Sequence, residues 1–153
     1  TGASVTRLDE VIKTEPSILS TNTKRIKRTS YDAILEFKNV SFNYSNSDQD
    51  ISFIKNLSFS LYPKQTLGII GGTGSGKTTI ANLITRFYDA TQGEVLYKGR
   101  NVKEYPISQL REEISIVQQR STLFSGTLRE NMKIRNKNAS DEEIIEALKI
   151  SQA

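Results

Sequence analysis

Gly71-Gly72-Thr73-Gly74-Ser75-Gly76-Lys77-Thr78-Thr79 has the phosphate-loop spacing of a glycine, four residues, then Gly-Lys-Thr. Four of its first six residues are glycines, so the backbone can take positive φ angles and turn its N–H groups toward an anion that no side chain blocks. Upstream, Thr66-Leu67-Gly68-Ile69-Ile70 is a short apolar run that predicts a buried strand, and downstream residues 79–87 place apolar side chains at helical spacing. Strand, loop and helix therefore fall in the order that sets the positive end of a helix dipole, together with Lys77, under bound phosphate.

The 153-residue chain contains no cysteine and no histidine. That composition excludes disulfides, thiolate or imidazole metal sites and any Ser-His or Cys-His pair within it, so its chemistry must use carboxylates, amides, hydroxyls, lysine or a bound cation. No apolar run approaches the roughly 20 residues of a membrane span, and the chain reads as soluble and suited to a reducing compartment. A net charge of +4 fits nucleotide, nucleic acid or an anionic surface about equally. The densest basic run, Lys24-Arg25-Ile26-Lys27-Arg28, lies in a polar stretch, Glu15 to Asp32, whose composition predicts a solvated linker without a fixed conformation.

Val5, Leu8, Val11 and Ile12 predict a short amphipathic helix ended by Pro16. A domain boundary falls near Ile34, giving residues 1–33 and 34–153. Residues 34–42 and 53–61 read as two antiparallel strands separated by the polar segment 45–50, and Pro63-Lys64-Gln65 as a turn. A hairpin strand follows at residues 94–97, flanked by Gly93 and Gly99. Ser108 is a candidate cap for a short helix around Leu110, and Ile114-Ser115-Ile116-Val117 reads as a β-branched strand ending at Gln118-Gln119. Thr127-Leu128-Arg129-Glu130 and Ser140-Asp141-Glu142-Glu143 both match the capping box and should each begin a helix.

Asn136-Lys137-Asn138-Ala139 lacks the aspartate of a guanine-reading Asn-Lys-x-Asp motif, which argues against GTP. The chain instead resembles the nucleotide-binding domain of ATP-binding cassette (ABC) transporters, of the exporter type whose membrane and nucleotide domains share one polypeptide. The resemblance rests on residues 35–44, on Phe53-Ile54-Lys55-Asn56-Leu57-Ser58-Phe59, on the phosphate loop, on Gly93-Glu94-Val95-Leu96-Tyr97-Lys98-Gly99, and on Ile116-Val117-Gln118-Gln119 with residues 123–131. It implies an α/β, P-loop NTPase fold in which an antiparallel β subdomain flanks a mostly parallel core sheet, with the chain ending at the start of the family's helical subdomain. It also implies that Tyr44 stacks on adenine, an edge contact being the plainer alternative. Gly72, Thr73, Gly74, Ser75, Gly76, Lys77, Thr78 and Thr79 would hold the phosphates of ATP. The Thr78 hydroxyl and Gln119 would contact Mg²⁺, Gln118 being the other candidate, and Lys77 and Gln119 would serve catalysis. Residues 1–33 would be a connector from the membrane domain, and Phe124 and Leu128 would lie near a membrane-domain contact or else in the domain's own core.

The family's Leu-Ser-Gly-Gly-Gln signature, its Asp-Glu strand end and its switch histidine do not occur in these residues. ATP binding without hydrolysis is the expectation for residues 1–153 alone. The implied partners are a second nucleotide-binding domain and the transmembrane domain of the same transporter, with no nucleic acid, at the cytoplasmic face of the cell membrane. A soluble ABC-type ATPase, another phosphate-loop phosphotransferase and a non-catalytic nucleotide-binding module stay open as alternatives.

Overall fold

The first ordered strand, β1 (Leu35–Phe42), buries Leu35, Phe37, Val40 and Phe42. Strict alternation from Leu35 would turn Asn39 and Ser41 inward; an extra residue resets the phase so that Val40 and Phe42 point to the core instead. The register shows how. On β2 (Ile54–Leu61) Phe59 pairs with Phe37 and Leu57 with Val40, and the bulge falls at Asn39, which takes φ 49°. A second shift, between Val40 and Phe42, is matched by Asn56 at φ 48° on β2. The computed structural model describes residues 2–20, 22, 24–27, 30–44, 53–119 and 122–152. The expected polar segment 45–50 and Arg28 of the basic run lie outside them.

β3 (Gln92–Tyr97) pairs with the other side of β1, and β4 (Arg100–Asn101) closes a hairpin on β3. The sheet order is β2-β1-β3-β4, antiparallel throughout. Gly93, at φ 75°, sits where β1 bulges; a Cβ there would run into the carbonyl oxygens of Lys38 and Asn39, so the close approach requires glycine. One face of the sheet packs on helix α2 (Lys77–Ile84) and on α3 (Ile107–Glu113), with Phe37, Val40, Leu83 and Leu110 at the centre of the core. α3 begins at Ile107 with Pro106 in the cap position and no side-chain cap bond, so the expected cap, Ser108, lies inside the helix.

Two segments expected as strands are not strands. Residues 66–70 and 114–117 carry no sheet pairing, and Ile70 and Val117 are each 97% exposed. Their β-branched composition favours extension, but a strand needs a ladder partner, and among the described residues neither segment has one. The antiparallel sheet is thus present, whereas a parallel core is not formed by these residues.

The polar stretch after the N-terminal helix also departs from expectation. Helix α1 (Gly2–Lys13) forms as the spacing predicts, with Val5, Leu8, Val11 and Ile12 exposed. The described residues that follow it are fastened, however. The Leu19 carbonyl accepts from Arg86 Nη2 at 3.4 Å, Asn22 Nδ2 donates to the Glu104 carbonyl at 3.1 Å, and Ile26 packs partly buried against the core. Polar main-chain contacts hold a segment too poor in apolar residues to hold itself.

The chain divides into two units, Thr1–Ile116 and Val117–Ala153. In the second, both capping boxes form. Thr127 opens α4 (Leu128–Met132) and Ser140 opens α5 (Asp141–Ser151), each with reciprocal bonds to its glutamate, Glu130 or Glu143. Asn131 closes the preceding loop, accepting from Phe124 N–H at 2.7 Å and donating to the Phe124 carbonyl at 2.9 Å. Phe124 (71% exposed) and Leu128 (52%) lie on the surface of this unit, not in its core. The Thr127 N–H, then its hydroxyl, hold the Glu130 carboxyl below its ordinary value of 4.5. A depressed folded pKa gives a contribution that is present above the unfolded value and lost as pH falls through the folded one. The α4 cap should therefore persist through pH 4.5 and fail only below it, and the ¹³C carboxyl resonance of Glu130 should show a midpoint under 4.5 that rises only part of the way back in Thr127→Ala, which removes the hydroxyl but keeps the N–H.

Candidate functional site

The phosphate loop does what its glycines allow. Gly74 and Gly76 take φ 81° and 89°, and Gly76 occupies the N-cap of α2 with no side-chain cap. The first N–H groups of a helix have no intrahelical partner, so those of Lys77, Thr78 and Thr79 open onto a cleft of about 230 Å³ lined by Tyr44, Phe53 and Gly74 through Thr79. Lys77 reaches back over the loop. Its ammonium donates to the carbonyls of Gly71 at 2.8 Å and Gly72 at 2.6 Å and to Ser75 Oγ at 3.2 Å.

The opposite end of α2 carries the compensating charge. Arg111 of α3 donates to the carbonyls of Thr85 at 3.2 Å and Arg86 at 3.0 Å, its guanidinium lying 4.3 Å from the centre of the Phe87 ring. A cation on the C-terminal carbonyls stabilises the helix dipole, while the uncapped N-terminus faces the cleft.

Tyr44 is brought to the loop by β1 and fixed there. Its hydroxyl lies 3.0 Å from Thr79 Oγ1, and its ring meets Phe42, Phe53 and Tyr88 edge-on with centres 4.7, 5.0 and 5.0 Å apart. The structure thus gathers Tyr44, Gly74, Ser75, Gly76, Lys77, Thr78 and Thr79 around one cleft. Gly72 enters through its carbonyl on Lys77, Thr73 is exposed outside the lining, and Thr79 is 5% exposed with its hydroxyl on Tyr44. Gln119 is exposed and belongs to the second unit. Sequence reasoning did not single out Phe53 as a lining residue, though an aromatic opening a strand opposite Tyr44 was the available signal.

These residues fit a polyphosphate: a concave run of main-chain donors, a helix N-terminus and one lysine, with no carboxylate among the cleft residues. They also fit Mg²⁺ in one mode only. Among the described residues no group of three or more acidic, His or Cys side chains could hold a metal, so an ion beside the exposed Thr78 hydroxyl would need phosphate oxygens and water to complete its shell, as Mg²⁺ prefers.

Fold and site define a phosphate-loop nucleotide-binding protein. Residues 54–153 match the ABC transporter family. The chain is 46% identical over 120 residues to an ATP-dependent lipid A-core flippase of Haemophilus influenzae, covering 78% of this chain and 20% of that protein. It is 39% identical over 145 residues to an uncharacterized ABC transporter ATP-binding protein of Bacillus subtilis (95% of this chain, 23% of that one). It is also 39% identical over 119 residues to a Staphylococcus aureus protein named for multidrug export as an ATP-binding/permease protein (78% and 20%). The chain belongs to the ABC transporter family, as the resemblance of its motifs implied. It spans about a fifth of the length of the relatives it matches.

Proposed function

We propose that this chain binds MgATP at the Gly71–Thr79 loop and that the complete protein uses ATP hydrolysis to export a substrate across a membrane. The observation that carries the reading is the open N-terminus of α2, with Lys77 and two αL glycines beside it. In that reading Lys77 exchanges its bonds to the loop carbonyls for the β- and γ-phosphates, and the N–H groups from Gly74 onward line the phosphate chain. Thr78 would hold Mg²⁺ beside the phosphate oxygens, whose charge the ion would offset, and the family resemblance implies Gln119 as a further contact. Tyr44 supplies a face for the adenine ring, and Gln119 orients the water that attacks the γ-phosphate.

The names of the relatives, a flippase and an ATP-binding/permease exporter, support a transmembrane domain in the same polypeptide. Residues 1–33 are then its connector, and residues 34–153 the first part of a nucleotide-binding domain that pairs with a second one at the cytoplasmic face. Among the described residues no helix is long and apolar enough to cross a membrane. Residues 66–70 and 114–117, rich in Ile and Val and without a ladder partner among the described residues, are suited to join a mostly parallel core sheet with strands from elsewhere in that protein.

Titrating this chain with a fluorescent ATP analogue tests the central claim. Binding should strengthen when Mg²⁺ is added, and Thr78→Val, which keeps the shape and removes the ligand oxygen, should lose about tenfold of that Mg²⁺ enhancement, the worth of one hydrogen bond or ligand contact at the upper end of the usual range. Saturable binding that is indifferent to both Mg²⁺ and Thr78→Val would place the nucleotide somewhere other than this loop.

A further inference from the structure

The described residues between Ser17 and Lys27 form a strap across the first unit. At one end Ser17 and Ile18 help to line a second cavity, of about 240 Å³, whose other walls include Phe42, Tyr44 and Tyr88. In the middle stands Arg86, 5% exposed and at φ 55°. One guanidinium joins three places: Nη2 donates to the Leu19 carbonyl at 3.4 Å, Nη1 to the Lys103 carbonyl at 3.2 Å, and Nε to Asp89 Oδ1 at 3.0 Å. At the far end Gln109, also 5% exposed, takes both main-chain groups of Ile26. Its Oε1 accepts from Ile26 N–H at 2.7 Å and its Nε2 donates to the Ile26 carbonyl at 3.0 Å.

A primary amide offers one acceptor beside one donor, the pattern of a peptide group, so Gln109 pairs with Ile26 as a neighbouring strand would. Its second N–H donates to Glu113 Oε1 at 3.1 Å, and the other oxygen of Glu113 is held by Lys98 at 2.5 Å. Turning the amide over would set two donors together at Ile26 and two acceptors together at Glu113. The orientation is therefore fixed.

Tyr44 lines both cavities, with its hydroxyl on Thr79 of the phosphate-loop helix and with Ser17 and Ile18 of the strap lining the second cavity beside it. We propose that the strap is a latch whose docking and the filling of the phosphate cleft stabilise each other through Tyr44, with Gln109 and Arg86 as positioning residues. The coupling rests on the nucleotide reading above; the latch does not. A ligand that orders Tyr44 orders one wall of the cavity that the strap also lines, and the effect must run equally in the other direction.

Lys24, Arg25 and Lys27 make the latch measurable, since trypsin needs the chain around them released from Gln109. Digestion of the full chain, read by mass spectrometry of fragments ending at these three residues, should be slow for the unmodified protein. It should be about 30-fold faster for Gln109→Leu, which forfeits the two hydrogen bonds to Ile26 that hold the strap, at about 1 kcal/mol each. Gln109→Met, which keeps the length of the side chain without its acceptor or donors, should speed cleavage to a similar degree and serves if the leucine variant does not fold. MgATP should slow cleavage at these sites about fivefold or more, and Gln109→Leu should weaken binding of the fluorescent ATP analogue by up to the same factor, reached when the strap is fully undocked. Wild-type cleavage rates in both Gln109 variants, with native circular dichroism, would overturn the latch. Unchanged cleavage while the analogue is bound would overturn the coupling alone; absence of analogue binding would overturn the nucleotide reading and the coupling with it, leaving the latch to be judged by the digestion without nucleotide.

Discussion

Lys77→Ala is expected to lower the affinity of this chain for MgATP by a factor of about 10² to 10³, the worth of two charge-assisted hydrogen bonds at roughly 1.5–3 kcal/mol each less the solvent contacts that replace them. On the proposed reading, the same change should cut ATP hydrolysis by the complete protein at least as far, because the transferred phosphoryl group would lose the Lys77 ammonium. Lys77 also ties the loop together through Gly71, Gly72 and Ser75, so the loss has two sources that need separating. Lys77→Met keeps the length of the side chain without its charge or its donors, and Lys77→Arg keeps charge but brings a planar fork that cannot reproduce three contacts from a single nitrogen. If charge dominates, Arg should retain more affinity than Met; if the loop's shape dominates, the two should fail alike. Thermal unfolding should change little in any of them, since the bonds lost are exposed. Calorimetric affinity of Lys77→Ala within threefold of the unmodified chain would remove the loop from the binding site.

What could be read from the sequence was local. The phosphate loop, the two capping boxes and the short N-terminal helix are specified by residues within a few positions of one another, and each forms as the spacing predicts. The paired strands 35–42 and 54–61 were legible from composition, but their bulges were not. Nothing local requires Asn39 and Asn56 to turn left-handed; that follows from keeping Val40, Phe42 and Ile54 on the buried face across a fixed register. Residues 66–70 and 114–117 went wrong for the complementary reason. Their propensity is strong, yet a strand is a property of a pair, and propensity says nothing about whether the partner is present. The strap escapes a reading by composition because its stability comes from 83 positions away, Gln109 acting on Ile26, where composition shows only a polar segment. In the site, Tyr44 is a candidate through the resemblance of residues 35–44 to the family's opening strand, whereas its bond to Thr79 and the edge-on aromatic cluster around it emerge only with the fold.

Phe37→Ala is the substitution expected to cost most stability, about 3–5 kcal/mol for removal of a fully buried aromatic side chain. Phe37 is 1% exposed, and its ring stacks on Phe59 with centres 4.6 Å apart and planes 17° from parallel. It lies just before the β1 bulge, so the cavity left behind would open at the point where strand phase is reset and from which β1 delivers Tyr44 to the cleft. Against a total stability of about 5–15 kcal/mol for a domain of ordinary size, such a loss leaves little reserve. Urea unfolding should show the midpoint falling with the slope unchanged; Phe37→Leu, which refills most of the volume, should recover more than half of the loss. Part of the cost belongs to the ring pair and not to the cavity. Phe59 is only partly buried, so a double-mutant cycle with Phe59→Ala isolates the stacking, expected at about 0.5–1.5 kcal/mol. A loss below about 1 kcal/mol in Phe37→Ala would mean that β1 does not carry the core, and with it would fall the account of how Tyr44 is held at the phosphate loop.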